Sequence, residues 1–168
     1  MNTALVLYGP KAVGKTWVAR VLQENLGVVY VNADDVIPRL VSEGREPHPD
    51  EGWLREIEAE VLSAVADSRA VSVEATGAWE SDWKLPDELA AKGIRTKKVS
   101  IWAPLEVCMA RLHARPFPPP IPDEEATWIH ITSTRQAALR SFDLRLDTSS
   151  ELVPADVVRA VRDLLHKG

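Results

Sequence analysis

The chain has 168 residues, enough for one domain that buries its own core without disulfides or structural metals, and too few for two full domains. Its 45% apolar and 27% charged composition is that of a globular protein, and a net charge of -5 gives no blanket attraction to nucleic acid or an anionic membrane. Cys108 is the single cysteine, which excludes an intramolecular disulfide and fits a reducing compartment.

The opening "MNTALVLYGP" lacks a basic region and its apolar stretch is short for a secretion signal; no apolar run of bilayer length follows. A cytoplasmic protein with no membrane partner is expected. Ala4 to Tyr8 is an apolar run ending at a glycine-rich turn, which predicts a buried strand, and Val18, Val21, Leu22 and Leu26 then recur at helical spacing. Gly27 stops that helix, and Val28 to Val31 is a second, β-branched run ending in "NADD". The stretch between Pro38 and Gly52 reads as a helix end plus a polar loop. Helical periodicity returns from Trp53 through Ile57, Val61 and Val65, followed by a strand at Ala70 to Glu74. Thr96 to Trp102 predicts a fourth strand, and Leu105, Cys108, Met109 and Leu112 mark the helix after it. Five prolines between Pro116 and Pro122 predict a stiff, extended connector, continued by "EEATWIHITSTRQAALR" as a closing flap. Leu144 to Leu146 is a short fifth strand. Val157, Val158, Val161, Leu164 and Leu165 mark a last helix, with Pro154 near its first turn.

Strands alternating with helices imply right-handed crossovers and an α/β fold: a five-stranded parallel sheet with helices on both faces, in one domain spanning 1–168, with a lid over approximately 115–141. Ligands bind such sheets at the carboxyl ends of the strands. Gly9, Gly14, Lys15 and Thr16 match G-x-x-x-x-G-K-[ST] after a strand and at a helix start, which makes Gly9, Pro10, Lys11, Ala12, Val13, Gly14, Lys15 and Thr16 the expected nucleotide loop. Loop N–H groups and the helix dipole suit a phosphate, Lys15 the β- and γ-phosphates, and the Thr16 hydroxyl a Mg²⁺ ion.

Asp34 and Asp35 stand one strand over. Either acid could serve as a helix N-cap, but two adjacent carboxylates exceed what a cap requires. A hydroxyl acceptor needs a nearby carboxylate to take its proton, with Asp34 the first choice and Asp35 the second. Arg39 is a candidate for an anionic group of the acceptor, and equally a surface arginine. Glu74, Thr76 and Gly77 end the third strand where an acid can hold a metal's water shell or a substrate hydroxyl, and the glycine opens the backbone to close approach. Arg111 and Arg115, four apart, are expected on one helix face directed at the phosphates, with Arg135 and Arg140 as weaker candidates. Trp79, Trp83 and Trp128 fall on the acceptor side; core packing suits each singly, and together they hint at an apolar or aromatic acceptor. His48, His113, His130 and Cys108 show no metal-ligand spacing.

With these residues placed, nearly the whole chain resembles the small P-loop kinases that phosphorylate metabolite hydroxyls, the group of shikimate kinase, gluconate kinase and chloramphenicol phosphotransferase. "GPKAVGKT" matches their phosphate loop, and "NADD" is similar to the acidic motif in which Asp34 falls on the acid that contacts the acceptor hydroxyl. "RLHARP" resembles the start of their lid, which implies Arg111 beside adenine and Arg115 at the phosphates. "RLDTSSELVPADVV" resembles their last strand, adenine-side loop and final helix. Two departures stand out. Asn32 occupies the first acid of the shikimate kinase D-x-D pattern, which leaves metal positioning to Asp34 or Glu74, and "EATGAW" replaces that enzyme's triple glycine, which argues against shikimate.

The resulting expectation is an ATP-dependent, Mg²⁺-dependent phosphotransferase acting on a hydroxyl of a small molecule, with Lys15, Asp34 and Arg115 as its catalytic groups. Two alternatives remain. A nucleotide-dependent switch or ATPase acting on a protein partner would leave the acids unexplained and lacks a guanine-reading N-K-x-D stretch. A kinase of nucleic-acid 5′-hydroxyls requires a basic track that the charge balance does not favour.

Overall fold

The computed structural model describes residues 2–46, 48, 51–115, 121–150 and 152–166. Five parallel strands form one sheet. β1 (Thr3–Tyr8) leads through the phosphate loop into α1 (Lys15–Leu26), β2 (Val29–Val31) into α2 (Ala33–Ser42) and α3 (Leu54–Ala66), and β3 (Ala70–Ala75) into α4 (Glu80–Ala91). β4 (Arg95–Trp102) precedes α5 (Leu105–His113) and α6 (Asp123–Ala138), and β5 (Leu144–Asp147) precedes α7 (Pro154–His166). The spatial order is β2-β3-β1-β4-β5.

β1 lies at the centre, paired with β3 from Thr3↔Ala70 to Tyr8↔Ala75 and with β4 from Thr3↔Arg95 to Tyr8↔Ser100. All six of its residues are buried, and after Thr3 its sequence is an unbroken run from Ala4 to Tyr8 without polar alternation. Its side chains nevertheless divide by face. Leu5 and Leu7 join Val18, Leu22, Val157 and Val161 under α1 and α7. Ala4, Val6 and Tyr8 join Leu40, Val61, Val65 and Leu89 under α2, α3 and α4. This is the three-layer α/β arrangement of a P-loop nucleotide-binding fold, and it gathers the turns after all five strands along one edge of the sheet.

Two elements differ from their sequence readings. Pro38 lies inside α2 instead of ending it. α4 was not anticipated, because Pro86 stands in its middle and its buried apolar positions are sparse. The ring of Pro86 leaves the carbonyl of Asp82, four residues back, without its helical donor, and the Tyr8 hydroxyl donates to that oxygen at 2.8 Å. The segment that follows the proline tract, within the expected lid, forms a helix, α6, with Ala126, Ile129, His130 and Ser133 buried. The His130 ring is 3.0 Å from the Ala103 carbonyl, and His113 pairs with Asp123 at 2.7 Å between the end of α5 and the start of α6. Residues 116–120, most of the expected proline connector, lie outside the described residues. Among the described residues no helix is long and apolar enough to cross a membrane.

Candidate active site

The turn after β1 is shaped by sterics. A Cβ on Gly9 would lie 2.4 Å from the Ile101 carbonyl oxygen, so only glycine lets the loop pass β4. Gly14 (φ 105) and Ala12 (φ 61) occupy the left-handed region, a conformation that glycine takes freely and alanine at a cost. Gly14 caps α1 with no side-chain partner for the helix amides, and the first turn carries no acid. The unpaired N–H groups there are therefore left for an anion. Lys15 is buried, its ammonium donating to the carbonyls of Gly9 at 2.7 Å and Pro10 at 2.8 Å. Burial lowers its pKa to about 8, only partly opposed by the Glu74 carboxylate.

The Thr16 hydroxyl donates to Glu74 Oε1 at 2.8 Å, and the Tyr30 hydroxyl donates to the same oxygen. Burial and the bond to Glu74 push the Tyr30 hydroxyl far up, which keeps it protonated as a donor. A hydroxyl and a carboxylate oxygen beside a phosphate loop form a hard-oxygen donor set, the chemistry that suits a Mg²⁺ ion retaining several waters.

After β2 the cap of α2 is Asn32, whose side chain accepts from the Asp34 amide at 3.0 Å and donates to Asp35 Oδ2 at 3.0 Å. Neither aspartate is the cap. Asp35 is engaged by Asn32, whereas Asp34, with its side chain 73% exposed, points into the cavity and lies 3.8 Å from the Lys11 ammonium. After β3, Asp82 Oδ2 accepts from the Thr76 hydroxyl at 2.8 Å and the Gly77 amide at 2.6 Å. Burial raises the Asp82 pKa, against the lowering effect of Thr76 and of the Gly77 and Trp79 amides.

The arginines diverge. Arg111 donates to the Val13 carbonyl at 3.4 Å and to Thr148 Oγ1 at 3.2 Å, and the Thr148 hydroxyl donates to the Val13 carbonyl at 2.6 Å. Arg111 thus ties the phosphate loop to the turn after β5. α5 ends at His113, so Arg115 lies beyond the helix and, unlike Arg111, lines the cavity. The two do not share a face. Arg39 pairs with Glu60 on α3, away from the cavity. Arg135 is exposed on α6, and Arg140 lies over the Trp83 ring at 4.2 Å and near Glu80 at 3.7 Å.

One cavity of about 550 Å³ joins these parts. Lys11, Ala12, Gly14, Lys15 and Thr16 form its floor, and Asp34, Glu74, Thr76, Asp82 and Arg115 its polar walls. Gly9, Pro10, Val13, Asp35, Gly77 and Arg111 do not line it: the first three complete the loop, Asp35 and Gly77 hold Asn32 and Asp82, which do line it, and Arg111 braces the loop through Val13.

Residues 5–137 match the sequence family described as AAA domain. The chain belongs to this AAA domain family of P-loop proteins. No curated protein sequence matches it significantly. Solved structures that the AAA domain resembles are small P-loop kinases and relatives. A gluconokinase from Sinorhizobium meliloti 1021 is 21% identical over 98% of this chain and 92% of its own, with a TM-score of 0.61. A shikimate kinase from Aquifex aeolicus is 20% identical over 97% and 96%, at 0.60. A tunicamycin resistance protein of Deinococcus radiodurans is 20% identical over 98% and 96%, at 0.67. At these identities the likeness is one of fold.

Several residues of the AAA domain's cavity were not legible beforehand. Asp82 sits in the first turn of α4, the unanticipated helix, although an acid six residues after Thr76 was the available signal. Trp53 and Ile57 read as helix packing, yet both also line the cavity, and Ile37, Leu54 and Leu85 join them there. Trp79 lines it and meets Trp128 of α6, with ring centroids 5.0 Å apart; Trp83 instead stacks on Tyr8 at 4.3 Å.

Proposed function

We propose that this protein is a cytoplasmic phosphotransferase that moves the γ-phosphoryl group of ATP to a hydroxyl of a small molecule. The observation that carries this reading is the continuity of one cavity from the phosphate loop to an exposed carboxylate, Asp34, that no structural bond consumes beyond a long contact with Lys11. A nucleotide binder that only switches state has no use for that second half.

The loop amides and the start of α1 receive the β-phosphate. Lys15 exchanges its two carbonyl partners for phosphate oxygens, which restores to the buried cation the charge partner that burial now denies it. Thr16 and Glu74 would hold a Mg²⁺ ion, which when bound neutralises charge on the β- and γ-phosphates. Asp34 accepts the acceptor's hydroxyl proton as the new O–P bond forms and the bond from the γ-phosphorus to the β,γ-bridging oxygen breaks, leaving ADP. Arg115 reaches the transferring group from the lid side, and Arg111 acts behind the loop by holding Val13 and Thr148.

³¹P NMR of the protein with ATP, Mg²⁺ and pooled hydroxyl-bearing metabolites and antibiotics tests this. The expected result is a new phosphomonoester resonance that is absent for Lys15→Ala and forms about 10²–10⁴-fold more slowly for Asp34→Asn, with Asp35→Asn close to wild type. Near wild-type transfer by Asp34→Asn removes Asp34 from the role of base. Inorganic phosphate alone across the whole pool turns the reading toward a nucleotide-driven switch.

A further inference from the structure

The cavity changes character beyond Asp34. Away from the phosphate loop its walls are Ile37 of α2, Trp53, Leu54 and Ile57 at the start of α3, Leu85 of α4, and Trp79 before α4. We propose that the acceptor is an uncharged alcohol with an apolar, ring-bearing body seated in this recess, its hydroxyl edge turned toward Asp34. The inference rests on the phosphotransferase reading and names the acceptor class within it.

Charge carries the argument. An anionic acceptor in a partly closed apolar recess requires a cation to offset its desolvation. The cations that line the cavity, Lys11, Lys15 and Arg115, come from the phosphate loop and the end of α5, and Lys11 is already beside Asp34. The basic side chains of the recess walls are turned elsewhere: Arg39 pairs with Glu60, Arg45 with Glu56, Arg55 with Glu51, and Lys92 with Glu58, while Lys84 of α4 is exposed on the outer surface. None of the five lines the cavity. The remaining residues of that stretch, 47, 49 and 50, are two prolines and an aspartate and add no cation.

Polar capacity is also short for a polyol, each of whose hydroxyls needs a partner when buried. The Thr76 hydroxyl and Asp82 Oδ2 are spent on each other and Asn32 on its two aspartates, which leaves Ser81 and Glu125 as the further polar side chains there. What the recess offers instead is apolar and aromatic surface. Trp79 is 52% exposed and Trp128, against it, 46% exposed, so the rim continues the apolar walls outward and invites a flat ring.

The test compares four probes by equilibrium dialysis in the presence of Mg²⁺ and ADP: phenylethylene glycol, mandelate, gluconate and sorbitol. The first two share a ring and differ by a carboxylate, and the last two lack the ring. The glycol is expected to bind at least about tenfold more tightly than each of the others. Trp53→Lys, at a half-buried position, is expected to erase that preference and favour mandelate, while Trp53→Phe retains it and both variants keep wild-type ADP affinity. Tighter binding of gluconate or sorbitol, no binding of the glycol at millimolar concentration, or an unchanged ranking in a folded Trp53→Lys overturns the inference. Phosphoryl transfer to gluconate would leave the phosphotransferase standing and overturn the apolar acceptor; the expected binding order with no phosphomonoester from any alcohol upholds the recess and overturns the transfer reading.

Discussion

Lys15 illustrates how a single side chain sets both affinity and stability. Its ammonium is buried and its folded pKa falls from 10.5 to about 8. Between those values the unfolded chain holds more protons than the folded one, so stability rises with pH through this window, by about 3 kcal/mol, and the cost of burying the cation is fully present below it. Phosphate requires the charged form. ATP affinity is therefore expected to be flat up to about pH 8 and then to fall about tenfold per pH unit, which calorimetric titration at several pH values reads directly. Constant affinity well above pH 8 would show that Lys15 does not bear the phosphate charge. Asp34 and Asp35 show the complementary case at the same scale. Sequence put both in the turn after the second strand and ranked Asp34 first, but the way they differ depends on where Asn32 sends its amide, which is a matter of rotamer and cap geometry.

Elements add constraints that no single residue reveals. The end of β1, the start of α4 and the segment after α6 meet in one stack: Arg140 over Trp83, Trp83 parallel to Tyr8 at 4.3 Å, and Phe142 edge-on to both rings. Trp83 also donates to the Gly77 carbonyl at 3.2 Å. Trp83→Ala is expected to cost about 3–5 kcal/mol in urea unfolding while leaving nucleotide affinity within a few-fold, since Trp83 does not line the main cavity. A small loss of stability would show that Phe142 and Arg140 close the gap. The stack also explains what sequence could and could not show. β1, the phosphate loop and α1 were readable because motif, strand and helix are consecutive and each follows from local spacing. α4 was not, because Pro86 speaks against a helix locally and its lost carbonyl partner is supplied by Tyr8, 74 positions earlier. The apolar recess assembled from α2, α3 and α4 was hidden for the same reason.

At the scale of the molecule, the site lies between a sheet that is fully buried at its centre and a helix, α6, that contributes Glu125 and Ile129 to the cavity from the far side. α6 is held through His130 at the Ala103 carbonyl, through the His113–Asp123 pair, and through Ala126 against Ala12 and Leu112. These anchors include the phosphate loop itself, so ligand binding there reaches α6 directly. Adding Mg²⁺ and a non-hydrolysable ATP analogue is expected to slow amide exchange in residues 105–115 and 121–138, with little change in β1 and β3; uniform or absent protection would count against a lid that closes over the nucleotide.

The sheet's outer boundary has its own consequence. The strands at its two margins, β2 with three residues and β5 with four, are the shortest in the molecule, whereas the long strands lie inside. Open backbone groups along a sheet margin recruit other chains into intermolecular pairing, and here so few are presented in sequence that another chain finds almost no template to extend. The same strand order that centres the phosphate loop thus also protects the concentrated protein from fibril-like self-association.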